Sequence, residues 1–384
     1  MKLLFVHDHP FYKDANNVYS GGGLPKITWD KYLTVFSSIN VIGRKSVSKK
    51  DKKTLSSGNP NVTFNLLNEY SSVKALFLNY KTINNILKVE IENSDFIIVR
   101  LPSVLGVIAA RKAKKLKRKI IVEQVGNGRE AFNTYGKTLY KVIAPFFDYL
   151  NKKIVKYADY VVYVTPKKLQ RDYPTQQPNI DISNVIIKSI KSQKEINFDK
   201  FSEDIFKIGL IGGFDAKYKG QDVLLNAISM LESQIVNSIE IHLVGKGNYD
   251  WILEIAKKLG INDNIKFIGP LKSGDEIFNF LETLQLYVQP SLTEGLPRAM
   301  IEAMSVGCPV LASKVGGMPD VIQDMFLHDA KNAKKLSTQI NYLYNNREVL
   351  VEASKNNLTA AKPFLKTNLE KKFANFYTKI INEK

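Results

Sequence analysis

Two carboxylates, Glu294 and Glu302, stand either side of a helix start in TEGLPRAMIEAMSVGCPVLAS, Thr293 to Ser313. Pro297 suits the first helical position and Gly307 a helix end, so Glu294 falls in the preceding loop and Glu302 inside the helix. The run LYVQPS just before reads as a strand, and the unpaired amides of the first helical turn then point to the same place as Glu294. Glu302 sits among Ala299, Met300, Ala303 and Met304, a poor setting for a solvated charge. An Arg298 to Glu302 pair at i,i+4 has the weaker orientation, worth roughly a few tenths of a kcal/mol, and leaves Glu294 without a role. A glycosidase acid and base need carboxyls about 5 to 9.5 Å apart. Eight residues of helix rise about 12 Å, so the spacing favours gripping two parts of one ligand over hydrolysis.

A second stretch, IGLIGGFDAKYKGQDVLLNAI, runs from strand through Gly212 and Gly213 to Lys217 and Lys219, and then into a helix near Gln221. Cations at a helix N-terminus oppose the macrodipole, and an anionic ligand resolves that conflict. A ligand with hydroxyls at both ends and a diphosphate between them uses every part: one carboxylate for a ribose, the other for a sugar, and helix amides with Lys219 for the phosphates. A nucleotide sugar has that form. Gly21, Gly22 and Gly23 before Pro25 offer backbone amides to a phosphate or sugar at the end of the first strand. No G-x-G-x-x-G follows that strand, VGKGNYD has Asp250 where the last glycine belongs, and no G-x-x-x-x-G-K-[ST] occurs. Nicotinamide enzymes and P-loop NTPases are thereby set aside.

The elements that must position these residues follow from the apolar pattern. Short β-branched runs alternate with helical segments, which makes the chain α/β with parallel sheets. Strands are expected at KLLFVH, INVIG, DFIIVR, KIIVEQV and YVVYVT, then at KIGLIG, IEIHLVG, IKFIG, LQLYVQP and CPVLAS. A length of 384 residues divides naturally into two doubly wound domains, here residues 1–195 and 196–361, with a polar linker near 190–205. Residues 362–384 form a final helix with Leu365, Leu369, Phe373, Phe376 and Ile380 at helical spacing, expected to pack back on the first domain. The single cysteine, Cys308, forms no intramolecular disulfide and fits a reducing compartment. No apolar run approaches the ~20 residues of a spanning helix. A cytoplasmic protein is expected, peripheral at the inner face of the membrane.

The order LIGGF, KYKG, LVGKGN, KFIGPL, VQPSLTEGLP, EGLPRAMIE and VGGMPD resembles the retaining glycosyltransferases of family four, which have the GT-B fold. That resemblance covers most of the second half. It implies two Rossmann-like domains closing over a cleft, with the donor on the second and the acceptor on the first. By motif, it places Glu294 on donor-sugar hydroxyls, Glu302 on the ribose, and the backbone at Gly295, Leu296, Pro297 and Arg298 beside sugar or diphosphate. Lys219 neutralises the leaving diphosphate, Gly212 and Gly213 line the same turn, and the backbone from Ile268 through Gly269 to Leu271 meets the base. Gly22 and Gly23 line the acceptor and phosphate side. Two positions depart from the pattern: Gly213 stands where an arginine is common, with Lys217 as the candidate substitute, and Glu123, Gln124 and Asn127 stand where a histidine is common.

Glycosyl transfer develops negative charge on the leaving diphosphate, which fixed cations and helix amides stabilise without reorganisation. With no Asp-x-Asp and no His or Cys cluster in the sequence, no metal and no cofactor are expected. Retention is implied by the resemblance alone. A net charge of +18, dense in Arg44–Lys53 and Ala110–Lys119, suits an anionic membrane and a polyprenyl-linked glycan acceptor. Tyr70, Phe77 and Tyr80 in YSSVKALFLNYKTINNIL mark one amphipathic candidate for that contact. No nucleic acid partner is expected. The competing readings are an epimerase or phosphorylase of the same fold, or a non-catalytic polyanion-binding protein.

Overall fold

The structure, a computed structural model, describes residues 1–15, 17–21, 23–46, 55–68, 73–133 and 138–383, with side chains throughout except at 73, 74, 77, 131–133 and 138–141. Two compact units comprise Met1–Ile182 with Glu370–Lys384, and Ser183–Leu369. The sequence reading placed the division after residue 195. It falls earlier because the polar stretch that follows is anchored by Ile187 and Phe201, both 1% exposed in the second unit's core.

The first unit runs β1 (Lys2–Lys13), β2 (Val18–Ser20), α1 (Lys26–Leu33), β3 (Ser38–Lys45), β4 (Leu55–Ser56), β5 (Val62–Leu67), α2 (Val73–Leu78), α3 (Tyr80–Glu92), β6 (Phe96–Leu101), α4 (Val104–Lys115), β7 (Ile121–Gln124), α5 (Gly128–Asn133), α6 (Thr138–Tyr157), β8 (Tyr160–Tyr163), α7 (Lys168–Asp172) and β9 (Asn179–Asp181). Seven strands are parallel in the order β5-β3-β1-β6-β7-β8-β9. The far end of β1 turns back into an antiparallel β2 and β4. Strand β6, FIIVRL, is buried on both faces, as a central parallel strand must be. Its Ile97, Val99 and Leu101 pack with Ile83, Leu87 and Ile91 of α3 and Leu105 of α4.

The second unit runs β10 (Phe206–Ile211), α8 (Gln221–Ser229), α9 (Ser233–Val236), β11 (Ile239–Val244), α10 (Asp250–Leu259), β12 (Ile265–Gly269), α11 (Asp275–Glu282), β13 (Leu286–Gln289), α12 (Arg298–Ser305), β14 (Val310–Ser313), β15 (Leu327–His328), α13 (Ala333–Asn345) and α14 (Arg347–Ala361). All six strands are parallel in the order β12-β11-β10-β13-β14-β15. The chain winds outward in opposite directions from β10 and β13, which makes the carboxyl ends of that pair a topological switch point.

The last helix, α15 (Lys366–Asn382), begins four residues later than the sequence reading because Lys362–Phe364 form a 3-10 turn and Leu365 bridges to Ile187. From Glu370 on it belongs to the first unit. There Phe373 and Tyr377 pack on Tyr32 at 5.4 and 6.2 Å between ring centroids, and Tyr377 meets Phe36 at 6.0 Å. No described helix is long and apolar enough to cross a membrane.

Candidate active site

At the switch point of the second unit, the loops after β10 and β13 lie backbone against backbone. Gly220 has φ +78°, and a Cβ there would stand 2.2 Å from the Pro290 carbonyl oxygen. The Leu292 amide donates to the Tyr218 carbonyl at 2.7 Å. A third contact comes from Gly212, whose missing side chain lets the Lys219 stem cross the end of β10, with Lys219 Cγ 2.9 Å from where a Cβ would be. These close approaches hold Lys219 against Glu294.

The Lys219 ammonium donates to Glu294 Oε1 at 2.6 Å, with the two side chains only 19% and 12% exposed. Behind them runs a buried chain of donors. Tyr287 Oη donates to Gln289 Oε1 at 2.6 Å, Gln289 Nε2 to Ser291 Oγ at 2.8 Å, and Ser291 Oγ to Glu294 Oε1 at 3.0 Å. Ser313 Oγ fixes Ser291 by donating to its carbonyl at 2.5 Å. Such a chain polarises along its length and holds one carboxylate rotamer, so Glu294 is set in place before any ligand arrives.

The loop after β14 clamps the Glu294 backbone from the other side. The Gly317 amide donates to the Gly295 carbonyl at 2.6 Å. Gly316, at φ +56°, passes so close that a Cβ would lie 2.1 Å from the Glu294 carbonyl oxygen. Gly295 itself has open space, with nothing within 4 Å of its Cβ position. Beyond it Pro297 is the N-cap of α12 and supplies no side-chain oxygen to the first-turn amides. The sequence reading had Pro297 as the first helical residue, and Arg298 takes that place. Glu302, one turn on, is 6% exposed and burial raises its carboxyl above the ordinary range, while Arg298 opposes the rise. The Arg298 Nε to Glu302 Oε1 distance is 3.0 Å, so the i,i+4 pair forms in this structure.

The remaining second-unit residues lie along the same sheet edge. Gly245 abuts the Gly212 carbonyl, and its amide donates to the Gly269 carbonyl at 3.0 Å. Gly269 has φ +79° with open space around it, and Leu271 beyond packs on the core. Gly213 has room too, its Cβ position lying 3.6 Å from the Lys246 carbonyl oxygen. Lys217 is exposed and its ammonium lies 5.2 Å from the centre of the Trp251 ring.

Residues 192–359 match the family described as glycosyl transferases group 1. Protein CapJ of Staphylococcus aureus is 36% identical over 389 positions, covering all of this chain and 97% of its own length. The chain belongs to the group 1 glycosyltransferases. The capsular polysaccharide biosynthesis glycosyltransferase CapH of the same organism is 27% identical over 51% of this chain and 52% of its own. Two solved structures superpose with a TM-score of 0.66 at 16% identity: sucrose-phosphate synthase from Thermosynechococcus elongatus, covering all of both chains, and Anabaena HepE in complex with UDP, covering 99% of this chain and all of that one. The fold of this glycosyltransferase is GT-B.

In the first unit of the glycosyltransferase, the expected acceptor-side residues are largely engaged in structure. Gly22 lies outside the described residues, and Gly23 lies against the His9 ring, 3.1 Å from its Cβ position. Gln124 is fully buried and donates to the Gly126 carbonyl at 2.8 Å, while its Oε1 has no partner among the described residues. Asn127 Oδ1 accepts from the Arg129 amide at 2.9 Å and so caps α5, and its Nδ2 donates to Asp172 at 3.2 Å. Glu123 is taken up beneath the helices, accepting hydrogen bonds from Tyr32 and Tyr377, with Arg100 3.9 Å away.

Sequence reasoning missed the supporting chain behind Glu294. Its signal was present as polar residues at alternate positions, Tyr287, Gln289 and Ser291, along an otherwise apolar strand. The clamp by Gly316 was equally visible as VGG and was read only as a family motif.

Proposed function

We propose that this glycosyltransferase moves a hexosyl group from a nucleoside diphosphate sugar, UDP-linked by preference, to a glycan or polyprenyl-linked glycan acceptor, with retention of configuration, during assembly of a surface polysaccharide. The observation that carries the reading is the Lys219 to Glu294 pair, mostly buried and braced from behind at the switch point of a parallel sheet. The polysaccharide follows from what CapH is named for, and the uridine preference from the UDP held by HepE.

In this reading the two members of the pair part when the donor binds. Lys219 turns to the β-phosphate and Glu294 accepts from sugar hydroxyls, which places the anomeric carbon over the first turn of α12. As the bond to phosphate breaks, Lys219 and the amides at Gly295, Leu296 and Arg298 meet the charge growing on the leaving oxygen. Glu302 holds the ribose. The acceptor approaches the same face the diphosphate leaves, and its proton passes to the departing phosphate oxygen. Transfer then needs no metal, because fixed cations and dipoles carry the charge a metal would otherwise neutralise; chelation with EDTA leaves the rate unchanged.

The test is a thermal-shift and calorimetric screen of UDP, GDP, ADP and their sugar derivatives. The wild type is stabilised by a uridine nucleotide, and Lys219→Ala and Glu302→Ala lose that response. A protein that no nucleotide stabilises, or whose response survives both substitutions, overturns the donor site.

A further inference from the structure

We infer that α6 is a membrane-docking face for an anionic lipid bilayer. From Val142 to Tyr157 this helix has two opposite faces. One buries Ala144, Phe147, Asn151, Ile154 and Val155 against the sheet. The other exposes Val142, Phe146 and Tyr149 to 72%, 61% and 58%. At 100° per residue these three lie within about 60° of one another, directly opposite the buried set, and Lys153 and Lys156 continue the same line into the last turns. Large apolar side chains at i, i+4 and i+7 on a solvent face have no folding role there, since removing them from water needs something outside the unit.

The charge around the stripe selects the occupant. The only carboxylate on this stretch, Asp148, is buried and ion-paired with Lys152 at 2.9 Å. Lys153 and Lys156 have no ion-pair partner among the described residues. The basic end of α4 adjoins them, with the Lys114 ammonium 4.0 Å from the centre of the Tyr157 ring and Arg111 acting on the same tyrosine. An apolar stripe flanked by cations on one side is the arrangement of a helix lying in the headgroup plane of an acidic bilayer. A second copy of this chain is the poorer fit, because a two-fold interface presents the same face twice and this stretch of α6 has no exposed carboxylate to meet Lys153 and Lys156. This placement differs from the expected one, around Tyr70, Phe77 and Tyr80, of which Tyr70 and the Phe77 side chain lie outside the described residues. It does not depend on the donor.

The experiment is co-sedimentation of the full chain with phosphatidylcholine vesicles, with and without phosphatidylglycerol. The protein pellets with the acidic vesicles, less so at high salt. Phe146→Glu lowers the partition on the order of ten- to a hundredfold, and Lys153→Ala with Lys156→Ala lowers it roughly tenfold or more. Both variants keep the wild-type melting temperature, because the altered side chains are exposed. Equal pelleting of Phe146→Glu and wild type overturns the proposal. So does absence of vesicle binding, or a wild-type dimer that Phe146→Glu dissociates. The donor screen reads none of these outcomes, so either reading can fail alone.

Discussion

Replacing Gly316 by alanine tests whether the loop after β14 sets the position of Glu294. The new Cβ would lie 2.1 Å from the Glu294 carbonyl oxygen and 2.4 Å from that of Gly295, so the loop must retreat by about 0.9 Å to reach even 3.0 Å. The Glu294 side chain moves with its backbone. Its hydrogen bonds to Lys219 and Ser291, at 2.6 and 3.0 Å, cannot both survive such a shift. A misplacement of about 1 Å at a reacting centre costs on the order of a hundredfold in rate. Alanine at φ +56° adds about 1 to 2 kcal/mol of strain, a fall of roughly 2 to 8 °C in melting temperature for a unit of this size. The assay is nucleoside diphosphate release from the donor that the nucleotide screen selects, with the melting temperature measured alongside. Gly260→Ala, at φ +70° with open space and no part in the site, carries the same backbone strain without a clash; as the control it loses stability and keeps the wild-type rate. If Gly316→Ala transfers sugar at the wild-type rate, or Gly260→Ala is equally slow, the clamp does not set the carboxylate.

Two further outcomes follow from buried groups. Burial lowers the His328 pKa from 6.5 to about 4, so the unfolded chain takes up a proton that the folded one refuses. Stability therefore falls as pH drops from about 6.5 towards about 4, by about 3 kcal/mol in all; urea midpoints show His328→Leu losing that part of the slope, and an unchanged slope contradicts the assignment. At the other end of the chain, Tyr377→Phe removes a hydroxyl that donates to Glu123 at 3.3 Å and costs about 1 kcal/mol, whereas Tyr377→Ala opens a cavity costing about 3 to 5 kcal/mol. Equal melting temperatures for wild type and Tyr377→Ala would show that α15 is not held there.

Strands such as FIIVRL and KIGLIG were legible because a parallel strand buried on both faces reads as a short, nearly continuous apolar run rich in β-branched residues. The short strands β2, β4, β9 and β15 lack such runs and exist through pairing alone, while β5, VTFNLL, is too mixed in polarity to stand out. Glu294 and Glu302 announced themselves by the contrast with their neighbours. The pairing of Glu294 with Lys219 did not, because contact between residues so distant in the chain is set by the order of strands. The cap at Asn127 was hidden for a similar reason: an asparagine before a glycine reads equally as a ligand contact and as a helix cap, and the Arg129 amide shows the cap. On α6 the buried and exposed apolar residues interleave so closely that the sequence shows a helix apolar on most sides.

The docking of α15 also sets a schedule for synthesis. The sheet face bearing Arg100 and Glu123 is covered in part by Phe373 and Tyr377, which leave the ribosome only after the whole of Ser183–Leu369 has been made. At ribosomal rates that is a wait of roughly 10 to 40 s. For that interval Tyr32 lacks Phe373 and Tyr377, Phe36 lacks Tyr377, and Glu123 lacks one of its two hydroxyl donors. The first unit to be translated is thus the last to be completed, and a chain cut short before Tyr377 leaves a finished second unit joined to a first one whose core is still open.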